Sequence, residues 1–118
     1  HGKPLVSGAA IRFDGQVTVY DPRSTESPCY ACIFPESDLL EETSCAAMGV
    51  FAPLVGIVGT VQAAEALKLL CGIGQALTGR LLMLDGRNMQ WHEMKLARNK
   101  TCSVCGDLTP VAQAVVAC

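Results

Sequence analysis

CYAC, residues 29–32, returns near the other end of the chain as CSVC, residues 102–105. Each pair has the C-x2-C spacing that lets two sulfurs reach one ion, and two such pairs complete a tetrahedron. A tetrathiolate zinc set of Cys29, Cys32, Cys102 and Cys105 ties together two segments distant in sequence, and so decides the topology. Protein fills all four positions of such a site, which makes the zinc structural rather than catalytic. Two other readings of the pairs stand beside it: two local redox couples, or the disulfide framework of an exported protein. A redox pair usually sits at the start of a helix after a strand, and neither pair reads so. The chain has seven cysteines, an odd number that cannot all pair internally, and it shows no charged leader with a small-residue cleavage site.

Working outward, 118 residues with 50% apolar content suit one domain with a modest core. Net charge is −2 and the nine Lys and Arg residues are scattered, so no basic stripe offers itself to nucleic acid. The first residue is His1 rather than Met, and strand pattern begins at once, so a longer polypeptide is expected. Between start and first pair, LVSGAAIRFDGQVTVY reads as strands Leu5 to Phe13 and Gln16 to Tyr20, with Asp14-Gly15 as the hairpin signal. FPESDLLEETS, residues 34–44, is acidic and aperiodic and reads as a loop, in which Glu41 and Glu42 form a solvated pair. RLLMLDG and MQWHEMKLARN predict a second hairpin that turns over Asp85 to Asn88.

Between the hairpins, Pro53 suits the first turn of a helix that stops at Gly72. Gly56, Gly59, Ala63 and Ala66 recur at steps of three and four, a small-residue face that permits close backbone approach. Gln62, Glu65 and Lys68 form a narrow polar stripe; nearly everything else is apolar, so the helix needs cover on most sides. Two hairpins supply too little, which implies a further partner surface. Residues 43–64 carry no charge and are long enough for a membrane span. A span there would separate the two cysteine pairs and place Pro53 at its centre, so no membrane association is expected.

Taken in order, GKPLVSGAAIRFDGQVTVY, CYAC, SCAAMGVFAPLVGIVGTVQAAEALKLLCGIG, LLMLDG and MKLARNKTCSVCG resemble the C-terminal half of the MoeB/ThiF/HesA adenylyltransferases. These relatives of ubiquitin-activating enzymes serve molybdopterin and thiamine biosynthesis. The resemblance runs from about Pro4 to Gly106, which divides the chain into residues 1–106, half of an adenylyltransferase domain, and a tail, residues 107–118. It implies a cytoplasmic, zinc-bearing homodimer that uses ATP and magnesium to adenylate the C-terminal Gly-Gly carboxylate of a ubiquitin-like sulfur carrier. The implied fold is the C-terminal part of a Rossmann-like activating enzyme. Here that means a mixed α/β unit of antiparallel hairpins packed on one long helix and stapled by the four-cysteine site.

The phosphate cradle of such enzymes is expected in the N-terminal half, and this sequence has neither G-x-G-x-x-G nor a P-loop. Gly56 and Gly59 sit inside the helix, and Gly72-Ile-Gly74 lacks a third glycine. By itself the chain is therefore expected not to bind ATP tightly. Cys45 stands where some members of the resembling family carry a cysteine that links covalently to the carrier, a role suited to a thiolate; the competing reading is a small apolar residue beside the helix entry. His92 beside Trp91, Cys71 and Cys118 read as ordinary packed, surface or spare residues, and Arg12 and Arg23 as solubilising charges. A zinc-stapled interaction module without catalysis is the competing function.

Overall fold

The computed structural model describes residues 1–35 and 45–106. The acidic stretch with Glu41 and Glu42, and the tail with Cys118, lie outside the described residues. The elements are strands β1 (Leu5–Ile11) and β2 (Asp14–Tyr20), one-turn helices α1 (Tyr30–Ile33) and α2 (Cys45–Met48), the long helix α3 (Ala52–Cys71), and strands β3 (Arg80–Asp85) and β4 (Gln90–Lys95). The strands form one antiparallel sheet in the order β1-β2-β3-β4, and α3 packs on β1 and β2. The expected architecture, hairpins on one long helix, is the one observed.

The first hairpin turns earlier than its Asp-Gly signal suggests. Ile11 pairs with Asp14, so Arg12 and Phe13 make the two-residue turn, with Arg12 at φ 51°. Asp14 and Gly15 belong to β2, and packing explains why. A Cβ on Gly15 would lie 2.8 Å from Val58 Cγ2 and 3.2 Å from Leu54 Cδ1, so the glycine serves close approach of α3 to the sheet, not chain reversal. The turn is held from outside as well: Arg12 N–H donates to Gly49 O at 2.9 Å and Phe51 N–H to Arg12 O at 2.7 Å. The second hairpin turns one residue later than expected, over residues 86–89, with Asp85 opposite Gln90.

α3 begins with Pro53 in its first turn and ends at Gly72, whose φ of 65° and ψ of 35° place it in the left-handed cap conformation. Leu54 and Val58 pack with Val17, Val19, Leu77 and Leu84 as the core. The polar stripe, rather than the small-residue face, turns inward. Glu65 is buried, accepts the Leu77 N–H at 2.9 Å and pairs with Lys68 at 2.7 Å, while Gln62 Nε2 donates to Val6 O. Among the described residues, Gly56 and Gly59 have no neighbour within 4 Å of where a Cβ would be, and Val55, Leu67 and Leu70 are exposed. One side of the helix is thus uncovered among the described residues, although its apolar composition calls for cover there. By length and composition alone α3 could cross a membrane.

Candidate metal centre

β2 ends at Tyr20, and residues 21–28 then fold into a braced turn before the first pair. Asp21 N–H donates to Ser27 Oγ at 3.0 Å, Ser24 N–H to Asp21 O, and Ser27 Oγ to the Pro28 carbonyl. Arg23 pairs with Asp21 at 2.9 Å, and that ion pair lowers the Asp21 carboxyl below its usual range. Cys29 caps α1, with Cys32 N–H bonded to Cys29 O. The first pair therefore does open a helix, contrary to the sequence expectation, but a single turn, separated from the strand by the eight residues 21–28. The second pair follows β4 in a turn where Cys102 N–H bonds to Asn99 O and Gly106 N–H to Cys102 O. A Cβ on Gly106 would collide with the Cys102 carbonyl and lie 2.9 Å from that of Lys100, so only glycine closes this knuckle.

The two pairs meet. The four Sγ atoms of Cys29, Cys32, Cys102 and Cys105 lie within 4.8 Å of one another, and none forms a disulfide. Cys29–Cys32 is 3.8 Å, Cys29–Cys102 3.7 Å and Cys32–Cys105 3.2 Å. A tetrahedron with Zn–S bonds of about 2.3 Å has edges of roughly 3.8 Å, so donor type and spacing both suit the ion. The electrostatics agree. Burial pushes the Cys102 thiol up, but backbone N–H groups of Cys105 and Val104 and the contacts with Cys29 and Cys32 outweigh it and bring it down to about 7. Burial raises Cys29, and burial with the neighbouring Cys32 and Cys29 sulfurs raises Cys105. Four thiolates held this close together call for a cation.

Two neighbours were not singled out from sequence. Tyr20 is 5% exposed and its hydroxyl has no partner among the described residues; burial first, then the nearby Tyr30, Cys29 and Cys32 charges, push its pKa up to about 12. Arg98, between β4 and the second pair, donates from one guanidinium nitrogen to Thr25 O at 3.1 Å and from another to Cys105 O. An arginine shortly before the second pair is visible in the sequence, but its target four residues before the first pair is not. Of the other candidates, Cys45 is the first residue of α2 and Cys71 is exposed at the end of α3. His92, on β4, lines an open depression of about 330 Å³ with Ala9, Gln16, Met83 and Asp85. Arg12 serves the fold through its backbone. The meeting of the pairs from either side of α3 in sequence also argues against a membrane span through that helix.

Comparison with known proteins matches residues 1–104 to the ThiF family. The chain is 50% identical over 106 residues to the molybdopterin-synthase adenylyltransferase of Salmonella typhimurium, covering 87% of this chain and 41% of that protein. It is 46% identical over 110 residues to the sulfur carrier protein adenylyltransferase of Thermus thermophilus, with 90% and 41% covered. Among solved structures, Escherichia coli MccB matches with a TM-score of 0.69 at 19% identity, over 92% of this chain and 33% of that one, a likeness of fold. The chain thus spans about two-fifths of the length of these curated relatives. With family match, ordered motifs and fold in agreement, the chain belongs to the ThiF family.

Proposed function

We propose that this chain forms the C-terminal half of an ATP-dependent adenylyltransferase that activates the Gly-Gly carboxylate of a ubiquitin-like sulfur carrier, in molybdopterin or thiamine biosynthesis. The convergence of the four thiols carries the reading, supported by the names of the relatives at 46–50% identity. Cys29, Cys32, Cys102 and Cys105 would hold zinc, which supplies a cross-link between the ends of the sheet and leaves no open position for chemistry. Residues 1–106 are taken as one half-domain, a division the family match over 1–104 supports, and 107–118 as a tail.

Adenylation needs a loop that cradles phosphates, groups that offset their charge and a carboxylate for magnesium. Neither G-x-G-x-x-G nor a P-loop motif occurs in this sequence, so residues 1–118 alone are expected neither to bind ATP tightly nor to form an adenylate. The uncovered face of α3, with Val55, Leu67 and Leu70 around the open Gly56 and Gly59, is assigned to a homodimer contact. Cys45, leading through α2 towards α3, is assigned the covalent link to the carrier; Cys45→Ser is expected to abolish sulfur transfer while sparing adenylation, and undiminished transfer would remove the assignment. The reaction itself is tested by carrier-dependent exchange of pyrophosphate into ATP with the full-length polypeptide. Exchange that requires the terminal Gly-Gly supports the proposal. A full-length protein that binds carrier without exchange would instead establish the rival, a zinc-stapled interaction module.

A further inference from the structure

We infer that Arg98 is a positioning residue that latches the two cysteine segments together and so governs how firmly the centre keeps its metal. This inference rests on the zinc reading above. The first pair follows β2 and the second follows β4, and β3 lies between those strands, so no strand ladder joins the two segments. Arg98 spans the gap through one side chain, with Thr25 O on the approach to the first pair and Cys105 O within the second. A guanidinium suits this task because its donors form a rigid fork and its charge is permanent. Its target is fixed in turn, since residues 21–28 are braced by Ser24, Ser27 and the Asp21–Arg23 pair.

Two consequences follow. A latch made of protein brings the pairs together independently of the ion, so part of the entropy of closing a loop of roughly seventy residues is already spent before metal binds. The positive charge also stands beside a centre whose four thiolates and one Zn²⁺ leave a net charge of −2. Groups that orient metal ligands from outside the coordination sphere typically change affinity by about 10- to 100-fold when replaced.

The test uses the zinc-loaded full-length protein with Arg98→Ala and Arg98→Lys, and Arg87→Ala, in the turn between β3 and β4, as a control. Zinc content by atomic emission comes first, then the rate of zinc transfer to a chromophoric chelator at 25 °C, with circular dichroism confirming the fold. Arg98→Ala is expected to release zinc roughly 10- to 100-fold faster while folded, and to perturb the thiolate-to-metal bands of the cobalt-substituted protein. Arg98→Lys keeps the charge without the fork and is expected to resemble Arg98→Ala. Release from folded Arg98→Ala at the parent rate would overturn the latch, as would parent-like release from Arg98→Lys, which decides the matter if the alanine variant does not fold. A parent protein that contains no zinc overturns the metal reading itself and the latch with it, whereas stoichiometric zinc with unchanged release overturns the latch alone.

Discussion

The Tyr20 hydroxyl is the buried side-chain polar group that lacks a partner among the described residues, and such a group costs about 1–3 kcal/mol. Tyr20→Phe removes it without altering the ring contact with Tyr30, at 6.0 Å between centroids. The variant is expected to gain about 1 kcal/mol in urea denaturation. Because the folded pKa is raised from 10.0 to about 12, the native state favours the neutral phenol. That preference is fully present below pH 10 and is lost as pH rises towards 12, so the parent should weaken more than Tyr20→Phe in that window. Equal alkaline limbs would contradict the assignment. Gly106→Ala makes the opposite prediction: its Cβ meets backbone oxygens that cannot move aside cheaply. It should cost about 1–3 kcal/mol and lower zinc retention, measured by melting and by metal content. The four clustered cysteines were legible at this scale because two C-x2-C pairs point to one shared site. Arg98 and Tyr20 were not, because their roles depend on which distant backbone and sulfur atoms the fold brings beside them.

At the scale of elements, the ends of α3 were legible in Pro53 and Gly72, since capping chemistry is local. Which side faces the sheet was not. The helix is apolar almost all round, so its periodicity names no inward direction. The inward side includes Gln62 and Glu65 because Val6 O and the Leu77 N–H, both remote in sequence, need partners there. The hairpin signal at Asp14-Gly15 misled for a related reason: glycine permits both a turn and close packing, and only the position of Leu54 and Val58 chooses between them. Leu54, fully buried, should cost about 2–5 kcal/mol when replaced by Ala. Leu70, 82% exposed, should cost less than about 0.5 kcal/mol in the monomer. Denaturant titration of both variants checks the orientation of α3, and a Leu70 loss as large as that of Leu54 would show that its outer face is covered.

For the whole molecule, family and fold class were legible because five motifs recur in order, whereas the proposed carrier and homodimer depend on surfaces that no short motif encodes. The core built on Leu54, Val58, Val17, Val19, Leu77 and Leu84 is small, and the pairs after β2 and β4 lie outside it. Metal therefore has much to contribute: removal by a verified chelator should lower the melting temperature and free the four thiols to react. The most direct measurement is X-ray absorption at the zinc edge on the purified full-length protein. A closed four-cysteine staple requires one zinc per chain with four sulfur neighbours at about 2.3 Å and no bound oxygen or nitrogen. Absence of zinc, or a shell containing water or imidazole, would contradict a closed structural staple.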